Sequence, residues 1–248
     1  MQEIIDQWWP IYGSEIEAKE ADFTARIDTL RARGARLYPD IRIAADGKVA
    51  GAVNIADYKI LYLLVRVYKP KVIFEIGTWI GTSAMIMAEA MRANGTGGKI
   101  YTCDHNHYYA LDDSYSDIIV PINAFSAEAL DQIPEDTKID FVFADGELTF
   151  RTISKLKPLL TTEAIIATHD YTPPDDKGVL NVVRMQLSSM FTYHIFLPQS
   201  TSQSSIAVLS RKTISTSKSF LYRFLFTARR AAIAFVTRLY KKITGYYS

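Results

Sequence analysis

The sequence predicts an α/β protein: a mostly parallel sheet with a closing antiparallel strand, helices ahead of it and a basic amphipathic helix after it. Three observations carry that reading. Residues 71–91 run from an apolar β-rich segment, Val72-Ile73-Phe74, through a loop with Gly77 and Gly81 into the helical pattern Ala84–Met91. Four later segments (99–104, 118–122, 139–144 and 164–168) are near-continuously apolar, as strands covered on both faces are. Polar and acidic residues follow each of these runs and are sparse within them.

Taken in order, Ser14-Glu-Ile-Glu17 has the form of a capping box. Ile16, Phe23, Ile27 and Leu30 follow at helical spacing, and Gly34 is placed to end the helix. This predicts a helix over 15–33, packed on the domain or on a second subunit of a homo-oligomer. Residues 35–55, with Pro39 and the Asp46-Gly47 turn signal, read as irregular. Asp57 to Tyr68 reads as a helix that Pro70 stops. After the first strand and its helix, Gly95-Thr-Gly-Gly98 is a turn and 99–104 a strand. A short strand follows at 118–122, weakened by Pro121, then a helix at 126–133 and a strand at 139–144. A helix over 149–160, a strand over 164–168 and a helix over 179–190 come next. Phe191–Leu197 and Ser205–Leu209 are two closing strands, and their short connection requires an antiparallel pair. The expected division is an N-terminal extension over 1–56, a ligand-binding domain over 57–210 and a tail over 211–248.

Composition bounds the classes. Of 248 residues 48% are hydrophobic and 22% charged, enough apolar material for an ordinary core. Cys103 is the one cysteine, so no intrachain disulfide forms and a reducing, cytoplasmic setting is expected. The first ten residues lack the basic start of a secretory signal. No run of about 18 uncharged apolar residues is present to span a bilayer.

The loop chemistry narrows the function. Strand, glycine loop and helix bring backbone N–H groups close to a nucleotide-like ligand. The spacing is neither Gly-x-Gly-x-x-Gly nor that of a phosphate-cradling P-loop. Ligands of open α/β sheets bind beyond the carboxyl ends of the strands, so the candidates are the residues after each run. The acid Asp104, at the tip of the second strand, can accept both hydroxyls of a ribose; a helix cap is the plainer role. Ser126 can likewise serve as an N-cap, and Trp79 as packing.

The Glu75-x-Gly77-x-x-x-Gly81 loop, with this order of strands, resembles the class I S-adenosylmethionine (SAM)-dependent methyltransferases. The resemblance covers roughly residues 57–210 and is nearest to small O-methyltransferases, macrocin-like or catechol-type. It implies a Rossmann-like sheet and SAM held by Glu75, Gly77, Thr78, Gly81, Ser83, Asp104, His105, Ser126 and Asp145. It also implies a divalent cation, Mg²⁺ by ligand chemistry, at Asp145, His169 and Asp170. Such a cation would hold an acceptor hydroxyl and lower its pKa, with His169 and Asp145 as the catalytic groups. The implied acceptor is a hydroxyl of a small molecule or a glycan. Similar enzymes often read Asp-Gly-Asp-His after the fourth strand, where this chain has Asp145-Gly-Glu-Leu148. The missing histidine keeps open a non-catalytic or regulatory role for the same scaffold.

The tail differs from the body. From Arg211 onward there are nine basic residues and no acid. With +9 there and +1 overall, residues 1–210 carry −8. Leu221, Phe224, Leu225, Ala228, Ala232, Phe235, Val236, Leu239 and Ile243 fall on one helical face, opposite Arg223, Arg230, Arg238, Lys241 and Lys242. That pattern suits an interfacial helix on an anionic membrane, hence a peripheral seat on the inner face of the cell membrane through residues 212–248. Packing on the domain or on another subunit is the alternative. The aromatics lie with the apolar face, which disfavours RNA, and DNA is not expected as a partner.

Overall fold

The computed structural model describes residues 2–51, 54–171, 177–188, 194–196, 205–210 and 232. The expected C-terminal helix lies outside the described residues, apart from Ala232. Two helices, α1 (Gln2–Leu37) and α2 (Ile55–Tyr68), precede β1 (Val72–Ile76). Then come α3 (Thr82–Asn94), β2 (Lys99–Asp104), β3 (Ile119–Asn123), α4 (Ser126–Ala129), β4 (Ile139–Ala144) and α5 (Phe150–Leu156). β5 (Leu160–Thr168), α6 (Lys177–Ser188), β6 (His194–Phe196) and β7 (Ala207–Ser210) complete the order.

The seven strands stand in the order β3-β2-β1-β4-β5-β7-β6. β1 to β5 pair in parallel, and β7 runs antiparallel to both β5 and β6. The closing pair is antiparallel as expected, with β7 inserted between β5 and β6. Alternate residues of the strands feed two cores. Ile73, Phe141, Phe143, Ile165 and Ala167 face the layer of α1, α2 and α3. Phe74, Val142, Ala144 and Ile166 face the layer of α4, α5 and α6. Both faces are covered, which is why these strands read as unbroken apolar runs.

The main departures are at the helix ends. α1 is 36 residues long and contains Pro10. Proline removes one rung of the ladder, but Ile4 is buried, and Trp8 and Trp9 pack against the core on the upstream turns. Tertiary packing therefore holds the helix past its local breaker. The Ser14–Glu17 segment is interior, and Glu15 accepts hydrogen bonds from Tyr62 Oη (2.6 Å) and Arg66 Nη2 (2.9 Å) of α2. Gly34 does not end the helix. A Cβ there would lie 3.0 Å from Ile80 Cγ2 and 3.1 Å from Val49 Cγ2, so the glycine permits close packing against the loop after β1. The helices expected over 126–133 and 149–160 both tighten into 3₁₀ turns, at 130–132 and 157–159. β5 begins at Leu160, four residues before its apolar run, through a register irregularity opposite β4.

Candidate functional site

The carboxyl ends of β1, β2, β4 and β5 open onto one cavity of about 1140 Å³. Gly77, Asp104, His105, Ser126, Asp145, His169 and Asp170 all line it. Glu75, Thr78, Gly81 and Ser83 are not among its lining residues; Gly81 ends the glycine loop, and the side chains of Glu75, Thr78 and Ser83 form a layer behind the cavity wall.

That layer is a buried polar network. Glu75 is fully buried and accepts hydrogen bonds from Ser83 Oγ and Thr102 Oγ1. Thr102 Oγ1 in turn lies 2.7 Å from Thr78 Oγ1. Burial pushes the Glu75 carboxyl up to about 8, although Ser83 and Thr102 oppose the shift. These residues tie β1, β2 and the start of α3 together and so fix the path of the loop. The loop requires its glycine at 77. Gly77 has φ +98°, and a Cβ there would come 3.1 Å from the backbone nitrogen of Gly146, so any side chain would be strained.

At the β2 side, Asp104 is held by the backbone. Its Oδ2 accepts from Trp79 N and its Oδ1 from Asn106 N, each at 3.0 Å. Its side chain keeps 13% exposure toward the cavity. Each oxygen retains a lone pair for a further donor, as a vicinal diol would need. Trp79 adopts the left-handed φ of +47°, a conformation sustained only when the surroundings over-determine it. Here Trp79 Nε1 donates to Ala50 O at 3.0 Å and its ring meets Tyr108 edge-on. His105 stacks on the exposed ring of Phe125, 4.8 Å between centroids and 11° between planes. Ser126 Oγ is 2.8 Å from Thr152 Oγ1.

The β4 and β5 side is a cluster of charges. His169 Nδ1 lies 2.9 Å from Asp145 Oδ1 and 3.0 Å from Asp170 Oδ1, and Nε2 lies 3.1 Å from Asp57 Oδ2. Burial alone would lower the imidazole pKa, but the bonds to Asp145, Asp170 and Asp57 overcome it and raise the value to about 12. With both ring nitrogens donating to carboxylates, His169 in this arrangement is an imidazolium with no lone pair for a substrate proton. Lys177 Nζ sits 2.7 Å from Asp170 Oδ2. Burial would raise the Asp170 pKa, but His169 and Lys177 hold it down at about 2. Asp170 also has a positive φ, +55°.

The donor set fits a divalent cation. Asp145, His169 and Asp170 each offer one ligand atom, all within 4.8 Å of one another. Adjacent ligands of an octahedral ion at about 2.1 Å lie about 3 Å apart, which is the spacing of His169 Nδ1 from both carboxylates. Leu148, where a histidine was expected by resemblance, is fully buried in the core under α5 and α6. Its backbone N–H donates to Asn181 Oδ1 at 2.8 Å.

Two groups bonded to this cluster escaped the sequence reading, Lys177 on the cavity wall and Asp57 buried behind His169. Asp57 sits in Asn54-x-x-Asp57, where Asn54 Oδ1 accepts from Asp57 N at 3.0 Å, an ordinary helix start. Nothing in that pattern announces that α2 begins beside the end of β5, 112 residues later. Lys177 lies next to a Pro- and Asp-rich stretch that reads only as a loop.

Residues 74–171 match the family described as "Methyltransferase domain". The fold of the chain is shared by solved structures of low sequence identity. The methyltransferase PaMTH1 of Podospora anserina, bound to S-adenosylhomocysteine (SAH), aligns with a TM-score of 0.52 at 16% identity, over 75% of this chain and 88% of that one. The O-methyltransferase TomG of Streptomyces achromogenes, in complex with SAM, gives 0.52 at 21% identity over 73% and 86%. An O-methyltransferase of Bacillus cereus in complex with SAH gives 0.52 at 19% over 74% and 91%. No curated protein matches the chain at significant similarity. Among the described residues, no helix is long and apolar enough to cross a membrane.

Proposed function

We propose that the protein moves the methyl group of SAM to a hydroxyl of a small molecule or glycan, with a divalent cation at Asp145, His169 and Asp170. The observation that carries this reading is that Gly77, Asp104 and the Asp145–His169–Asp170 set share one cavity. The ribose would sit on Asp104, the adenine between Phe125 and Ser126, and the sulfonium end at Gly77 and Asp145. A bound cation supplies a Lewis acid that lowers the acceptor hydroxyl's pKa. The chain's own residues do the rest. Trp79 N and Asn106 N keep the Asp104 carboxylate turned into the cavity. His169 is oriented by Asp57 at Nε2, which leaves Nδ1 facing Asp145 and Asp170 as the nitrogen that would hold the ion. Asp145, 22% exposed and lining the cavity, is the group left to take the hydroxyl proton. Most of the acceleration comes from aligning an oxygen with an already activated methyl.

The uniformly basic, amphipathic sequence over 212–248 supports a peripheral seat on an anionic membrane, and with it a lipid-linked acceptor such as a growing glycan. Calorimetric titration with SAM tests the core of the reading; absence of binding at high micromolar ligand removes it. SAH release over a panel of hydroxyl acceptors, with and without chelator, separates the enzyme from a non-catalytic SAM-binding scaffold. Co-sedimentation with anionic liposomes, comparing the full chain with one ending at Arg211, tests the tail; equal partitioning defeats the membrane seat.

A further inference from the structure

Asp57 is fully buried, comes from a helix outside the sheet, and reaches His169 from the side opposite the cavity. Its Oδ2 takes His169 Nε2 at 3.1 Å. Its Oδ1 takes the backbone N–H of Ser205 at 2.7 Å, and Asn54 Nδ2 holds Oδ2 from the helix start at 2.5 Å. The carboxylate is thereby fixed by groups independent of the site. A carboxylate on one ring nitrogen of a histidine sets the tautomer, keeping the proton there and leaving the other nitrogen for a metal. In this geometry the other nitrogen is Nδ1, at equal reach of Asp145 and Asp170. Asp170 does not need to turn, since Lys177 holds its Oδ2 while its Oδ1 faces His169.

From this arrangement we infer that Asp57 is the positioning residue that makes His169 an Nδ1 metal ligand, and that the site takes an imidazole-accepting ion of the Co²⁺ or Zn²⁺ kind over Mg²⁺. The inference rests on the metal reading above and refines it. Two carboxylates and one neutral imidazole, with open positions for water and acceptor oxygen, suit borderline first-row cations, whereas all-oxygen sets suit Mg²⁺. Loading releases the Nδ1 proton to solvent, and the Nε2 proton stays on the bond to Asp57.

The test uses the full chain with CoCl₂, ZnSO₄ or MgCl₂ as the probe. In the Zn²⁺-loaded protein, long-range ¹H–¹⁵N correlation of the four histidines should show one ring coordinated through Nδ1 and protonated on Nε2, and that ring's signals should vanish in His169→Asp. Asp57→Asn should weaken Co²⁺ binding roughly 10- to 100-fold while SAH affinity moves less than about threefold; a merely structural role would lower thermal stability and spare the metal affinity of the folded protein. His169→Asp should lower the ratio of Co²⁺ to Mg²⁺ affinity about tenfold or more. Ion binding that ignores Asp57→Asn, a ratio unchanged in His169→Asp, or an Nε2-bound ring overturns the inference and leaves the metal reading standing. Absence of any divalent-ion binding overturns both. If Asp57→Asn does not fold, the tautomer measurement on the unmutated protein and the His169→Asp ratio still decide.

Discussion

At the Asp104 end of the cavity, the group that faces a ligand is held by backbone amides of its own neighbourhood. At the His169 end, the groups are held by one another. Asp104 has its two donors within 25 residues, at Trp79 and Asn106. His169 depends on Asp145, Asp170 and Asp57, the last 112 residues away. A backbone-held carboxylate keeps its geometry when a neighbouring side chain changes. A mutually held cluster does not, because each member is both ligand and support. The first arrangement suits a constant cofactor; the second suits chemistry that must respond to an ion and an acceptor.

The largest expected effect falls at the mutually held end. Asp145→Ala should reduce the rate of methyl transfer by about 10²- to 10⁴-fold, the range for removing a positioned proton acceptor, while SAH affinity changes by less than about tenfold. Steady-state rates beside calorimetry measure the split. A loss of cofactor affinity as large as the loss of rate would erase the distinction between the two ends.

Next in size is the support behind the glycine loop. The Glu75 carboxyl is pushed up to about 8 in the fold from an ordinary 4.5. A raised carboxyl pKa means that the fold favours the protonated form. Its stabilising contribution is complete below about pH 4.5 and is lost as pH rises toward 8. Glu75→Gln keeps a neutral acceptor in place and removes the ionisation. Relative to that variant, the unmutated protein should lose on the order of 3 kcal/mol between pH 5 and 8. Thermal melts across that interval check the sign. Parallel pH profiles for the two proteins would mean that Glu75 is ionised and well solvated by Ser83 and Thr102.

Asp104→Ala is expected to weaken SAH binding roughly 10- to 100-fold, as loss of charge-assisted hydrogen bonds of about 1.5–3 kcal/mol implies. Because Asp104 also satisfies Trp79 N and Asn106 N, the melting temperature should fall as well. Unchanged affinity would remove the ribose assignment and leave Asp104 as a loop cap.

What the sequence makes legible follows the same division. Strand–glycine–helix order, the parallel apolar runs and the acid at the tip of β2 are local patterns, and each appears where expected. Asp145, His169 and Asp170 are legible as strand-end residues because topology alone brings strand ends together. Their supports are not legible. Asp57 reads as the start of a helix, and only the docking of α2 beside β5 gives it a second role. The same physics explains the misplaced ends of α1. Pro10 and Gly34 are local stop signals overruled by the packing of Ile4 upstream and by the close approach of Ile80 downstream.

The smallest effect should separate two neighbours at the Asp104 end. Ser126 lines the cavity, yet its hydroxyl is 2.8 Å from Thr152 Oγ1, which also bonds Thr149 Oγ1 at 2.8 Å. That chain holds the start of α4 to the start of α5. Removing it costs a hydrogen bond of about 1 kcal/mol inside the protein, felt mainly as lost stability. Phe125 has no such internal duty. Its ring is 65% exposed and stacks on His105, offering an adenine a flat apolar face. Ser126→Ala should therefore lower the melting temperature slightly and leave SAH affinity within about twofold. Phe125→Ala should do the reverse, weakening SAH by about 0.5–1.5 kcal/mol with little change in stability. If Ser126→Ala is the more damaging to binding, the hydroxyl turns from Thr152 to the ligand on loading, and the Asp104 end is less rigid than its backbone-held carboxylate implies.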